Sequence, residues 1–316
     1  MVAIIVSALM WALTIVLLIF RRSRKDRSVL YASAAITLSL TMSDDDLYLL
    51  VDGWFGARDI VHLLSAIMLM AGVYFLARGL AKARVKQRAR DRGELILLGA
   101  AVAVTTISFF RVPHKGGTTL DFMITYGERY AAATYSSAQY IYIAIVLVAM
   151  AVIAIQTLRA TDVRRERAAA IFMFIGALFG IALSVDIVFM NITHVLHMND
   201  LMYIGQTLYG PLNVAAIGFL VIGLASAPII RWVSQRRWDR LTAEYLADVT
   251  PLWEEATTVR PSLRLEKRTT SDELRLHRRI VEIRDAAIDR RNAFSLDDEQ
   301  RTLLDGAESH LAGGRV

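Results

Sequence analysis

The sequence predicts an all-α, polytopic membrane protein: seven transmembrane helices with the N-terminus outside and the C-terminus cytoplasmic, followed by a small cytosolic helical domain. Three observations predict it. Of 316 residues, 55% are hydrophobic and only 21% charged, with a mean hydropathy of +0.42, which does not describe a soluble chain. The apolar residues gather in seven long runs separated by short charged clusters. Charge is also segregated: residues 1–230 hold 20 Lys and Arg against 14 Asp and Glu, whereas residues 231–316 hold 16 of each. The chain therefore divides into a transmembrane bundle over 1–230 and a cytosolic domain over 231–316.

A helix crossing a hydrocarbon core of about 30 Å needs roughly 20 mostly apolar residues. The runs are 2–20, 29–43, 59–77, 95–110, 134–158, 168–192 and 202–230. The second and fourth are short, and the second is expected to continue toward Leu47–Val51. The seventh contains Pro211, which predicts a kink. Met1 opens directly into the first run and positive charge follows it, at Arg21, Arg22, Arg24, Lys25 and Arg27. A secretory signal has the reverse order, so the first run is expected to stay as an anchor.

Loop charge orients the bundle, because Lys and Arg resist translocation. Basic clusters follow spans 1, 3, 5 and 7, among them Arg78, Lys82, Arg84 and Lys86 after span 3, Arg159, Arg164 and Arg167 after span 5, and Arg236 and Arg237 after span 7. The alternate loops differ: 44–59 has five Asp and one Arg, and 191–203 has no Lys or Arg. No internal repeat is visible. Gly176 and Gly180 form a small-xxx-small pair suited to ordinary helix packing.

Ionisable groups inside a span are costly and are candidates for function. Asp186 lies near the outer end of span 6 and His62 one turn into span 3. With Asn213, His194 and His197 they make up a candidate outer vestibule for a cation or small solute, and a His–carboxylate cluster is also what a divalent metal or a pH sensor uses. The alternative is that Asp186 pairs with Arg58, Arg111 or Arg129 while the loop acids Asp44, Asp45, Asp46 and Asp52 are solvated. The absence of cysteine excludes disulfides, thiolate metal sites and cysteine nucleophiles. No cofactor, metal-ligand motif or phosphate loop is expected. Span 7 has no histidine, against a seven-helix zinc hydrolase, and spans 5 to 7 have no lysine, against retinal.

In the C-terminal domain, Trp232 and Trp238 suit an interfacial belt. A helix over 236–247 is expected to break at Thr250-Pro251, with a further turn at Arg260-Pro261. Ser271 then caps a helix whose stripe is Leu276, Ile280, Ile283 and Ala287, widened by Val281 and Ile288. Ser295–Asp298 has capping-box form and opens a last helix that ends at Gly313-Gly314. Interleaved Arg275, Arg278, Arg279, Arg290 and Arg291 with Glu282, Asp285 and Asp289 read as a salt-bridged face. As the alternative, Arg278, Arg279, Glu282, Arg284 and Asp285 form a docking face for a protein. Balanced charge disfavours nucleic acid.

On the run Arg278-Arg279-x-x-Glu282-Ile283-Arg284-Asp285, with Tyr245 through Leu252-Trp253 upstream and Asp52-Gly53-Trp54-Phe55-Gly56 before span 3, the chain resembles an actinobacterial family of seven-span membrane proteins described as transporters. Members often carry Tyr where this chain has His277. The resemblance implies a bacterial plasma membrane location and a C-terminal helical domain of unknown function. Such genes often neighbour helix-turn-helix and metallopeptidase-like regulators, which implies a signalling partner as readily as a cargo. The expected function is a sensor or scaffold coupling the bundle to a cytosolic regulatory protein, with the bilayer and a second copy as further partners. A transporter or channel is the alternative, and an intramembrane hydrolase the third.

Overall fold

A computed structural model describes residues 2–19, 28–82, 88–113, 117–161, 163–259, 271–288 and 294–313. Among these residues the regular structure is all helix, without strands. Eleven helices follow in order: α1 Val2–Ile19, α2 Ser28–Met42, α3 Asp45–Trp54, α4 Ile60–Lys82, α5 Arg88–Phe110, α6 Phe122–Tyr126, α7 Tyr130–Ala160, α8 Arg164–Val195, α9 Asn199–Val259, α10 Asp272–Ile288 and α11 Asp298–Ala312. The chain separates into two compact units, Met1–Pro228 and Ile229–Val316, and the boundary falls within α9. The Arg21–Arg27 cluster, Arg84, Lys86, Arg260-Pro261, Asp289, Arg290, Arg291 and Gly314 lie outside the described residues.

Five helices of the first unit, α4, α5, α7, α8 and α9, are long and apolar enough to cross a membrane; α1 and α2 are apolar but shorter. Large apolar side chains such as Ile96 (72% exposed) and Phe110 (68%) cover the outside, as expected of a surface solvated by lipid. The protein is thus a membrane-embedded helical protein with a C-terminal helical domain. The sequence pattern predicts seven spans. Two differences arise locally. The second run does not continue toward Val51: α2 stops at Met42, the backbone of Asp44 is extended, and α3 begins with Asp45 and Asp46 in its first turn, where carboxylates favour a helix start. At 15 residues, α2 is about 22 Å long. In contrast, α5 begins at Arg88 and has 23 residues, longer than the run 95–110.

Met10, Leu13, Met70, Val73, Tyr142 and Met150 form the core of this unit. Polar groups add specific links in apolar surroundings, where hydroxyls bridge helices. Thr14 and Thr37 are 2.8 Å apart between α1 and α2, and Ser39 and Ser65 exchange hydrogen bonds between α2 and α4. The glycine pair of α8 serves two neighbours. A Cβ on Gly176 would meet the Leu220 backbone of α9 at 2.7 Å, and one on Gly180 would meet Leu147 of α7 at 2.6 Å.

The second unit packs the C-terminal part of α9 with α10 and α11 around Val249, Leu252, Leu276, Ile280, Ile283 and Leu304. The expected break at Thr250-Pro251 is absent, since α9 runs to Val259. Proline removes one intrahelical donor, but Val249, Leu252 and Ala256 are buried on either side of it, and that burial holds the helix together. Ala286 completes the α10 stripe, whereas Val281 (43% exposed) and Ile288 (76%) lie outside it. With Leu274 they form an exposed apolar row at seven-residue spacing. Ser271 caps α10 through the Leu274 N–H. The α11 capping box sits two residues later than expected, between Asp297 and Gln300. The Trp238 indole stacks on His310 of α11, with ring centroids 4.0 Å apart.

Candidate functional site

A cavity of about 560 Å³ opens in the first unit, a size that suits a small-molecule ligand. Its walls come from the N-terminal parts of α1, α3, α4, α7 and α9, the C-terminal parts of α2 and α8, and the segment 120–124. These are the ends remote from Arg78 and Lys82 of α4 and from Arg159 and Arg164 at the α7–α8 turn.

Three of the five vestibule residues come together here: His62, His194 and Asn213 all line the cavity. His62 stacks on Phe122, centroids 4.8 Å apart, and packs against Tyr135 at 5.5 Å. The Tyr135 hydroxyl donates to the His62 carbonyl over 3.1 Å. His194 lies in the last turn of α8 rather than in a loop, and Gly127 makes room for it, since a Cβ there would stand 2.4 Å from the His194 Nδ1.

The other two are placed elsewhere. His197 is exposed with φ 59°, and the Met198 N–H reaches the Thr193 carbonyl at 2.8 Å. That is the left-handed residue of a helix C-cap, so its position is set by chain reversal after α8. Asp186 does not line the cavity. It also lacks the arginine pairing that the alternative reading expects: among the described residues it makes no ion pair, and its buried Oδ2 has no hydrogen-bond partner. Gly205 of α9 packs beside it, and a Cβ at Gly205 would stand 2.4 Å from Met190 and 3.1 Å from the Asp186 Oδ1.

Gln139 is a cavity residue whose importance only the structure reveals. Its side chain is 7% exposed, lines the cavity and makes no hydrogen bond to the described residues. An amide that opens on a cavity without a protein partner is left to hydrogen-bond water or a ligand there. Ser136 (4% exposed) and Asn191 (5%) lie beside it on the wall, and Asn191 donates to Ser137 over 3.0 Å.

Two buried carboxylates shape the rim, and one of them, Asp52, is a residue that the sequence pattern places in solvent. Asp52 and Asp59 are both 0% exposed. Asp52 accepts from the Asp59 N–H (2.9 Å), the Val61 N–H (3.2 Å) and the Thr118 hydroxyl (2.7 Å). Asp59, at φ 56°, accepts from the Tyr48 hydroxyl (2.8 Å) and from the Thr119 N–H and hydroxyl (2.8 and 2.9 Å). Burial, then the bond to Asp59, pushes the Tyr48 phenol far above its ordinary range, so it stays a donor. This latch ties α3, the start of α4 and segment 117–121 together. It seats Phe122 and Tyr126 against Phe109 and Tyr135, beside the cavity.

The five residues of the expected docking face do not share one solvent-facing surface. Glu282 is 3% exposed; it accepts from Arg278 Nε at 2.7 Å and from the Trp253 indole. Arg279 lies 4.7 Å over the Trp253 ring and donates to Thr250, and burial lowers its pKa. Arg284 bridges to Asp305 (2.7 Å) and Glu308 (2.9 Å) of α11. Asp285 alone of the five is exposed. The motif's charges thus tie α10 to α9 and α11.

Comparison with known families agrees with the position of this unit. Residues 232–314 match the family of unknown function DUF6545. No curated protein and no solved structure matches the chain. The match lies within the second unit. Among the described residues, no group of three or more His, Asp or Glu side chains could hold a metal ion.

Proposed function

We infer that the protein is a membrane sensor: a small ligand in the cavity biases the bundle, and the C-terminal domain passes the change to a cytosolic regulatory protein. The observation that carries this reading is a cavity with polar side chains on its wall, Gln139 among them, in the same chain as a separately packed helical unit. In this reading all seven apolar helices cross the bacterial plasma membrane, including α1 and α2. Arg78, Lys82, Arg159 and Arg164 stay inside, so the cavity faces outward and the C-terminus is cytoplasmic. The exposed row Leu274, Val281 and Ile288 is the tail surface available to a partner. The tail's balanced charge argues against direct nucleic-acid binding.

Transport of a small solute or ion is the second reading, favoured by Asp186 and its unpartnered buried oxygen. Crosslinking in native membranes separates the two, using the full chain and a chain ending at residue 235. A cytosolic protein recovered with the full chain alone supports the sensor. Solute flux retained by the shorter chain, with no partner lost, supports transport. Topology is tested in the same membranes, because the chain has no cysteine. His197→Cys should react with an impermeant maleimide on intact cells, and Asp285→Cys only after lysis.

A further inference from the structure

We propose that the cavity binds an organic cation, an ammonium group carried on an apolar or hydroxylated body. This deepens the sensor reading and rests on it for its biological use, but the binding chemistry stands on the cavity itself.

Three features of the wall select that class. Five aromatic side chains line it: Tyr48, Phe122, Tyr135, Tyr140 and Tyr209. Aromatic rings attract a cation over their faces, and recognition of quaternary ammonium groups by several rings is a known use of that attraction. Two carboxylates, Asp45 and Asp121, also line the cavity and are exposed, and neither forms an ion pair among the described residues. Among the described lining residues there is no Lys or Arg, and the basic side chains on the wall are the imidazoles of His62 and His194. An anion would meet two carboxylates, with two imidazoles and no Lys or Arg to offset them. A neutral apolar ligand would leave Gln139 unsatisfied.

Gln139 adds a polar partner on the wall. Its side chain is more than nine-tenths buried, faces the cavity and has no partner among the described residues. Its carbonyl oxygen can accept from a primary ammonium or from a hydroxyl on the ligand body. Asp45 and Asp121 draw the cation to the mouth, the rings hold it in place of water, and Gln139 orients its polar end. The same ammonium chemistry is offered by a free solute and by a lipid headgroup.

The test uses the full chain in maltoside micelles, with binding read by calorimetry and thermal stabilisation. Choline is compared with its neutral isostere 3,3-dimethylbutanol, benzyltrimethylammonium with benzyl alcohol, and lysophosphatidylcholine with lysophosphatidylglycerol. A cation in at least one pair should bind saturably while its partner does not. Binding of the free cations assigns a soluble ligand, and binding of the choline lipid alone assigns a headgroup. Asp45→Asn with Asp121→Asn should weaken binding about 2- to 5-fold at low salt, with the difference shrinking as salt rises. Tyr140→Leu should weaken it about 3-fold or more. Both variants change partly exposed positions, and Gln139→Leu gives a third that keeps side-chain volume. Equal binding within every pair, or binding in none, overturns the proposal. That result would remove the ligand class but leave the coupling of cavity to tail to be judged by a separate measurement.

Discussion

Asp52 and Thr118 stand 66 residues apart in the chain and are joined by a 2.7 Å hydrogen bond to a carboxylate with no exposed surface. Asp52 begins the segment Asp52–Gly56, and Thr118 begins the stretch that leads into Phe122 and the cavity wall. The bond therefore fixes one wall of the site to α3, and the same carboxylate takes the Val61 N–H at the start of α4. It also explains how a carboxylate persists in an apolar bundle, since three donors satisfy it in place of water.

Removing that carboxylate should be costly. Asp52→Ala leaves the Asp59 and Val61 amides without their acceptor, which predicts a loss of roughly 2–4 kcal/mol. Thr118→Val removes one donor and should cost about 1 kcal/mol. Thermal unfolding of the full chain in micelles checks both, and equal small effects would contradict the latch.

Packing of the C-terminal unit predicts opposite outcomes for two neighbouring apolar residues of α10. Leu276 is 0% exposed and Val281 43%. Leu276→Ala should destabilise the unit by about 2–5 kcal/mol, while Val281→Ala should stay within about 0.5 kcal/mol. Denaturant unfolding followed by tryptophan fluorescence distinguishes them, since Trp253 packs against this core.

Glu282 should behave as a buried structural acid. It receives Arg278 and the Trp253 indole while 3% exposed. Glu282→Gln keeps the shape but loses the charge-assisted bond, at a cost of about 1–3 kcal/mol. A double-mutant cycle with Arg278→Met should show coupling, and additive effects would contradict the pairing.

His310 predicts a pH dependence. Burial lowers its pKa from the ordinary 6.5, with Glu273 opposing. The unfolded chain then binds the proton more readily, so this contribution is complete above about pH 6.5 and is lost as the pH falls toward the folded-state value. His310→Gln should flatten that part of the profile. Fluorescence follows it, because the ring lies on Trp238 and its Nε2 is 2.9 Å from the Thr242 hydroxyl.

Sequence pattern made the long helices legible, because a run of apolar residues bounded by charge has few other solutions in a bilayer. It also placed His62, His194 and Asn213 at one end of the bundle. What it could not show depended on backbone geometry and long-range contacts. His197 shares the residue type and region of His194, yet the left-handed turn after α8 carries it away. Asp52 lies among other loop acids, and nothing local marks it as the one that Thr118, 66 residues later, buries. Gln139 is visible in the sequence only as a soft polar residue within an apolar run; its significance lies in having no partner. Pro251 signals a break, but burial of Val249 and Leu252 outweighs one lost backbone bond. The arginines and acids of α10 alternate as a solvated face would, and only the fold of α9 and α11 around them shows Glu282 inside.

The most direct measurement fills the cavity without assuming which ligand belongs there. Ser136 lines it at 4% exposure, and the chain has no native cysteine, so Ser136→Cys can be modified with a bulky methanethiosulfonate in the full-length protein. Hydrogen exchange is then followed over residues 272–312. Coupling predicts that modification changes amide protection in the tail as well as at the cavity. Protection altered around the cavity but unchanged throughout the tail would contradict the sensor and shift the weight to transport.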